Sequence, residues 1–178
     1  MRKSFLLPLL TVLLAAVVLF CLSFGLKGLT EFNAQSVHLR LMQHLLPGST
    51  HFTLEPYAGE DANIRSVHKG DNGFVIETVT RGYADDIRMM VGVSNEGTVT
   101  GLVVMEMAET FGLGAEALTD HVFLAQLLNT SGEAEVGSNV DAITGATVTS
   151  KAVVRSVNSA VAFVTGADTD SGATSWGG

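Results

Sequence analysis

Hydroxyl side chains and small residues cluster in one segment, residues 141–151, which reads DAITGATVTSK. An apolar, helix-like pattern follows it, and the first turn of a helix offers unpaired N–H groups and partial positive charge that favour a phosphate. Gly145 and Ala146 would let a ligand approach the backbone closely, and Lys151 could add positive charge. The residues alone leave two interpretations, a phosphate-binding turn or an ordinary capped helix start. The candidate capping residues are Thr144, Thr147, Thr149 and Ser150.

Other chemistries find no support in the sequence. The five histidines form no HExxH motif and no helical pair of ligands, so we interpret them as surface residues and predict no metal site. Nucleophile, redox and nucleotide motifs such as G-x-S-x-G, CxxC and the Walker sequence are absent. Asp85 and Asp86 are adjacent carboxylates that we expect in a solvated turn. No catalytic residue is therefore predicted.

The same segment resembles a known modification motif. Asp141, Thr144, Gly145, Ala146 and Thr147 match the pattern Asp-x-x-Ser/Thr-Gly-Ala-Thr of FMN-binding domains. In that family a flavin transferase uses FAD as donor and esterifies the last threonine to the phosphate of FMN. The resemblance therefore implies covalent FMN, held by a phosphoester to Thr147.

A second stretch, ETFGLG at residues 109–114, resembles the Glu-Thr-Pro-Gly-Leu-Gly loop of the G subunit of Rnf electron-transport complexes. The C subunit of sodium-translocating NADH:quinone reductase is related. The likeness implies further cofactor contacts at Glu109, Thr110, Leu113 and Gly114. Phe111 stands where the family usually has proline, so we expect a differently shaped loop.

Residues 168–174, DTDSGAT, form a second formal match to the attachment motif. No helix is predicted after it, and the surrounding residues are rich in Gly, Ser, Thr and Asp, as in disordered tails. We therefore interpret it as a compositional coincidence, with Thr174 as the next candidate for attachment if only the linear motif matters.

The resemblance implies an electron-relay subunit of a membrane-bound Rnf-type ion-translocating oxidoreductase, not a complete enzyme. Such complexes move electrons between ferredoxin and NAD and couple this to Na⁺ or H⁺ translocation. The implied partners are other membrane subunits and a flavin transferase. A stand-alone, membrane-tethered flavoprotein that passes electrons to an external acceptor is the alternative, and a module that has lost its flavin is a third possibility.

The helices and strands predicted around these residues indicate an α+β fold, in which helices flank an antiparallel sheet. A helix of about 12 residues is expected after Gly114, with Leu118, Val122, Ala125 and Leu128 on its buried face. The other predicted helices cover residues 30–46 and 150–164. The predicted strands cover residues 74–80, 87–93 and 99–106, with a possible short strand near residues 52–57.

Residues 4–26 carry no charge, and as a helix they would extend about 34 Å, enough to cross a bilayer core. A cleaved signal peptide and a lipoprotein signal at Cys21 are the alternatives. Arg2 and Lys3 before this stretch favour a cytoplasmic N-terminus in the cell membrane. We therefore predict a single-pass transmembrane anchor at residues 1–27, an extracytoplasmic FMN-binding domain at 28–165 and a disordered tail at 166–178.

Charge is distributed unevenly between these parts. The chain has 178 residues and a net charge of −8, but three of its ten basic residues precede residue 28, and none of its eighteen acidic residues does. Residues 28–178 therefore carry −11. This acidity argues against a nucleic-acid partner, because no basic surface is available to neutralise phosphates. The single cysteine excludes a disulfide framework within the chain.

Overall fold

Five antiparallel strands form one sheet in the order β1-β2-β3-β4-β5, in a computed structural model that describes residues 6–106 and 114–167. Each strand pairs antiparallel with its neighbour in sequence, so the predicted antiparallel sheet is confirmed. The described chain divides into two units, one ending at Arg40 and the other beginning at Leu41. The helices are α1 Leu6–Leu45, α2 Gly114–Thr119, α3 His121–Ala125 and α4 Thr147–Thr165; the strands are β1 Thr53–Glu55, β2 Ile64–Lys69, β3 Gly73–Arg81, β4 Asp86–Ser94 and β5 Val99–Glu106.

Helix α4 covers one face of the sheet. Its small and β-branched side chains, including Val153 and Val157, lie against β3 and β4 with almost no exposure. This close packing explains why the helix is nearly apolar on most sides. The sheet residues of this core are Ile64, Val67, Ile76, Ile87, Met89, Val91, Val93 and Val99.

The opposite face of the sheet is partly covered by the C-terminal end of α1 and the residue that follows it. Leu45 and Leu46 pack with Val75 and Met90 in a second buried cluster. Gly92 permits the close approach, since a Cβ built there would lie 2.1 Å from the carbonyl oxygen of Leu45. The last turn of α1 is therefore fixed to the sheet by backbone contact.

The prediction of a single helix after Gly114 is wrong. The structure has two short helices, because Asp120 interrupts the helix and caps α3 by accepting hydrogen bonds from the N–H groups of Val122 and Phe123 at 2.7 and 2.9 Å. This break changes the buried face. Val122 is 78% exposed and Leu128 is 39% exposed, whereas Phe123 is buried; Leu118 and Leu127 are buried too.

The other helices and strands follow the predictions with shifted bounds. Helix α4 begins three residues earlier than expected, at Thr147, and the helix predicted at residues 30–46 is the end of the longer α1. Strand β2 is an addition to the predicted strands. Over the part of the chain that the structure describes, no helix is both long enough and apolar enough to span a membrane. Most of the predicted tail, residues 168–178, lies outside the described residues.

Candidate functional site

A tight turn carries the chain into α4. The N–H of Ala146 donates to the carbonyl oxygen of Ile143 at 2.9 Å, and Gly145 has a φ of 81°. This left-handed conformation favours glycine, which has no Cβ to clash with the backbone. The glycine of the attachment motif is therefore required by the turn itself.

The start of α4 is not capped as the sequence suggested. Ala146 occupies the N-cap position and has no side chain able to accept a hydrogen bond, so the first N–H groups of the helix are left to other acceptors. Ser150 instead ties the turn to the helix: its Oγ accepts from the N–H of Ile143 at 3.2 Å and donates to the carbonyl oxygen of Ala146 at 2.9 Å. Ser150, one of the four candidate capping residues, thus lies inside α4 and holds the preceding turn without occupying the N-cap position.

The hydroxyl-bearing side chains of residues 141–151 differ in their solvent exposure. Thr144 and Thr147 are exposed, whereas Thr149 is 1% exposed and Ser150 is fully buried. Of the other motif residues, Asp141 and Gly145 are exposed and Ala146 is buried. Within this segment, only Thr144 and Thr147 therefore present a hydroxyl that a modifying enzyme could reach in the folded chain.

The beginning of the motif is held by a residue that the sequence did not single out. The side-chain oxygen of Gln126 accepts from the N–H of Asp141 at 2.8 Å, and its amide donates to the Asp141 carbonyl oxygen at 3.3 Å. This pair of bonds fixes the backbone of Asp141 to the segment just after α3. No motif or spacing marked Gln126, because its role depends on a contact across fifteen residues.

Two contacts establish the direction of α4 against the sheet. Phe163 packs edge-on against Phe74 near the start of β3, with ring centroids 5.6 Å apart. Near the end of β3, the hydroxyl of Thr80 donates to the carbonyl oxygen of Ala152 at 3.0 Å. Helix α4 therefore runs antiparallel to β3, and Thr147 lies at the end of the sheet where β3 turns into β4.

Strand β5 finishes at this same end, because Glu106 pairs with Arg88 near the start of β4. The chain thus leaves the sheet here toward the ETFGLG stretch. Glu109, Thr110 and Leu113 lie outside the described residues, and Gly114 is the first residue of α2. The site residues that the structure brings together are therefore those of the turn and of the start of α4.

A separate charged cluster lies on the opposite face of the sheet. Arg88 forms ion pairs with Glu77 and, at 3.2 Å, with Glu106, beside an open cleft of about 460 Å³. The hydrogen bond and charge of Glu77 raise the pKa of Arg88 above its ordinary value. Because these opposite charges pair across strands β3, β4 and β5, we interpret the cluster as structural. Across the described ranges, 6–106 and 114–167, no group of three potential metal ligands is brought together.

The family model of the FMN-binding domain matches residues 82–162, from the β3–β4 hairpin into α4. The G subunit of the ion-translocating oxidoreductase complex of Methanosarcina acetivorans is 32% identical over 86% of this chain and 93% of its own length. The chain belongs to the FMN-binding domain family. This relative and the two described next are named as G subunits of ion-translocating oxidoreductase complexes.

Two further relatives of this FMN-binding protein carry more specific names. The G subunit of the Na⁺-translocating ferredoxin:NAD⁺ oxidoreductase complex of Acetobacterium woodii is 37% identical over 50% of this chain and 47% of its own length. The G subunit of the proton-translocating ferredoxin:NAD⁺ oxidoreductase complex of Clostridium ljungdahlii is 35% identical over 52% of this chain and 53% of its own length. The aligned region thus spans about half the length of these two relatives.

Proposed function

We propose that this chain is the electron-relay subunit of an Rnf-type ion-translocating oxidoreductase complex and carries FMN esterified to Thr147. The family and the names of the relatives support an electron-transfer subunit that binds FMN. The observation that carries the attachment residue is the placement of Thr147: an exposed hydroxyl on the first residue of a helix whose N-cap is alanine.

The residues around Thr147 fit a flavin phosphate. The hydroxyl oxygen of Thr147 would become the ester oxygen, which places the phosphate at the positive end of the α4 dipole. First-turn N–H groups without a side-chain cap are suitable donors to the remaining phosphate oxygens. Ala146 and Gly145 add no bulky side chain there. The turn and the helix start would thus bind the charged end of the cofactor.

Attachment needs no electron transfer. A bond forms between Thr147 Oγ and the FMN phosphorus of FAD, the diphosphate bond breaks, AMP leaves, and the hydroxyl proton is released. Once bound, FMN supplies one- and two-electron chemistry, and the protein supplies orientation and electrostatics. The charge of −11 on residues 28–178 would disfavour added negative charge on the flavin and so lower its reduction potential. Asp141, Thr144, Glu109, Thr110, Leu113 and Gly114 are the remaining proposed cofactor contacts.

The proposal includes a membrane anchor at residues 4–26, an N-terminus in the cytoplasm and the sheet domain outside the cell membrane. It is supported by the uncharged stretch and by the basic residues before it. The proposed partners are other membrane subunits of the complex and a flavin transferase. Protease added to intact cells should cleave the domain, and alkaline washing should leave the chain in the membrane; release by washing would contradict the anchor.

Peptide mapping by mass spectrometry tests the attachment residue. Purified, denatured wild-type chain should keep a yellow, fluorescent flavin, with an FMN phosphoester mass on the peptide that contains Thr147. Thr147→Ala should lose essentially all covalent flavin, and Thr147→Ser should retain it because the hydroxyl remains. Thr53→Ala is the matched control and should keep full covalent flavin, since it removes an exposed threonine hydroxyl on β1, outside the motif.

The outcomes are distinct. Covalent flavin at full level in Thr147→Ala would refute the assignment, and Thr174→Ala would then show whether the tail motif carries it. Purification of the tagged chain in mild detergent should also recover neighbouring membrane subunits. A fully flavinylated chain that is recovered alone and reduces a soluble external acceptor would instead support the stand-alone flavoprotein.

A further inference from the structure

The carboxylate of Asp141 differs from the other aspartate carboxylates in the described part of the chain. Asp141 is exposed, and its carboxylate forms no hydrogen bond or ion pair with any described residue. Each of the other aspartates there uses a carboxylate oxygen in a hydrogen bond or ion pair within the chain; they are Asp61, Asp71, Asp85, Asp86 and Asp120. Exposure of one carboxylate is ordinary, so the backbone that carries it must decide whether it is presented to a partner.

The backbone of Asp141 is fixed at both of its polar groups by one side chain. The side-chain oxygen of Gln126 accepts from the Asp141 N–H at 2.8 Å, and the Gln126 amide donates to the Asp141 carbonyl oxygen at 3.3 Å. Gln126 is half-buried and forms the C-cap of α3, so that helix sets its own position. Because both bonds restrain the Asp141 backbone, Gln126 determines the direction in which the carboxylate leaves the chain.

Further hydrogen bonds connect this fixed point to the attachment residue. Only two residues, at most about 7 Å of chain, lead from Asp141 to Ile143. The N–H of Ile143 donates to Ser150 Oγ at 3.2 Å, and its carbonyl oxygen accepts from the N–H of Ala146 at 2.9 Å. Ala146 directly precedes Thr147. The motif is therefore held near both of its ends, with an unpaired carboxylate at one and an exposed hydroxyl at the other.

We propose that Gln126 is a positioning residue for flavin attachment, an inference that rests on the proposed function. By fixing the Asp141 backbone, it directs the carboxylate to a positively charged group of the flavin transferase while the Thr147 hydroxyl reacts with FAD. A carboxylate that is already oriented forms such a charge-assisted contact with little further loss of conformational entropy. Correct placement of the protein substrate also places the reacting hydroxyl, and small misplacements lower rates strongly.

Flavin transfer in vitro tests this role. Full-length chain produced without the transferase is mixed in detergent with a flavin transferase and FAD, and covalent flavin is measured over time after denaturation. Gln126→Ala should lower kcat/KM for the chain roughly tenfold, within the range expected for the loss of two hydrogen bonds. The change should lie mainly in a higher KM for the chain, and the KM for FAD should stay the same because the FAD site is untouched.

Asn139→Ala is the matched control. Asn139 makes the same kind of paired contact in the same loop: its side-chain oxygen accepts from the N–H of Glu135 at 2.7 Å, and its amide donates to the carbonyl oxygen of Glu133 at 2.6 Å. The variant therefore removes a comparable pair of bonds outside the motif and should leave the transfer kinetics unchanged. Urea unfolding measures the stability of each variant. Gln126→Met fills similar space without the hydrogen bonds and replaces Gln126→Ala if the latter is much less stable than Asn139→Ala.

A double-variant comparison tests whether Gln126 acts through the carboxylate. Asp141→Asn removes the charge and leaves the backbone bonds, so it should also lower kcat/KM for the chain. Gln126→Ala should then have little further effect in the Asp141→Asn chain, because the two changes remove the same contact.

The contrary results are separable. Unchanged kcat/KM in Gln126→Ala, an equal loss in Asn139→Ala, or losses that multiply in the double variant would each overturn the positioning role while the attachment to Thr147 stands. A wild-type chain that gains no covalent flavin would overturn the proposed attachment and this inference together.

Discussion

Two buried threonines on β3 allow a sharp test of how α4 is held to the sheet. Thr78 and Thr80 lie on the same face of the strand, and both are at most 1% exposed. The hydroxyl of Thr80 bonds to the carbonyl oxygen of Ala152 at 3.0 Å and to Ser156 Oγ at 2.8 Å. The hydroxyl of Thr78 has no hydrogen-bond partner among the described residues. Replacing each by valine, which has nearly the same shape, should therefore have opposite effects.

The hydrogen bonds determine the expected magnitudes. Each bond in a protein interior contributes about 0.5–1.5 kcal/mol, so Thr80→Val removes about 1–3 kcal/mol. Ser156 lies one helical turn after Ala152 and can donate to its carbonyl oxygen instead, which limits the loss. We expect the free energy of unfolding to fall by about 2 kcal/mol, or Tm by about 8 °C. Thr78→Val removes a buried hydroxyl without a partner, so it should be neutral or stabilising by about 1 kcal/mol.

Urea unfolding of the full-length chain in detergent, followed by far-ultraviolet circular dichroism, measures both variants. Equal dependence on urea concentration in the three proteins would show that the midpoints report stability. If Thr78→Val is destabilised as much as Thr80→Val, the Thr78 hydroxyl must have a partner such as a buried water. An unchanged urea midpoint in Thr80→Val would refute the assignment of α4 anchoring to Thr80.

Three further changes test other parts of the fold. Gly92→Ala should destabilise the chain by about 1–3 kcal/mol in urea unfolding, because its Cβ would meet the Leu45 carbonyl oxygen at 2.1 Å; an unchanged midpoint would contradict this contact. Asp120→Ala should lower the free energy of unfolding by about 1 kcal/mol because it removes the N-cap of α3, and Tm should fall accordingly. An unchanged Tm would contradict the role of this cap. The N–H groups of Thr50 and then of His51 hold the pKa of Asp71 below its ordinary value of 3.8. The ionised carboxylate of Asp71 should therefore stabilise the fold above pH 3.8, and this stabilisation should be lost as pH falls through the lower pKa of the folded state. The difference in unfolding free energy between wild type and Asp71→Asn should shrink on going from about pH 5 to about pH 3. A difference that does not change with pH would contradict this role of Asp71.

The sequence was most informative where a local pattern determined the structure. Strands β3, β4 and β5 are rich in apolar and β-branched residues over eight or nine positions each, and the turn between β4 and β5 contains Gly97 with a φ of 84°. Strand β2 carries polar residues at Arg65, Ser66 and His68, so its pattern is weak and pairing with its neighbours determines it. The apolar spacing continues through the break at Asp120 and conceals it, although an aspartate before an apolar run is itself a helix-start signal.

The candidate site shows the same division. The motif predicts Thr147 as the attachment residue from residue types and spacing alone, but the burial of Thr149 and Ser150 could be learned only from the packing of α4 on the sheet. Gln126 carried no motif for this role, since it acts through the backbone of Asp141. Contacts between distant segments therefore supply most of what the sequence could not.

The structure also gives a physical reason for the motif itself. Glycine is needed where φ is 81°, alanine occupies the buried N-cap position and supplies no side-chain cap, and threonine stands on the first helical residue with its hydroxyl accessible. The motif thus corresponds to a folded turn and helix start as well as to a linear sequence. Residues 168–174 repeat the letters, but no helix is predicted to follow them. If the transferase recognises this folded turn, Thr147 should carry flavin and Thr174 should not, and equal modification of both would show that the linear sequence is sufficient.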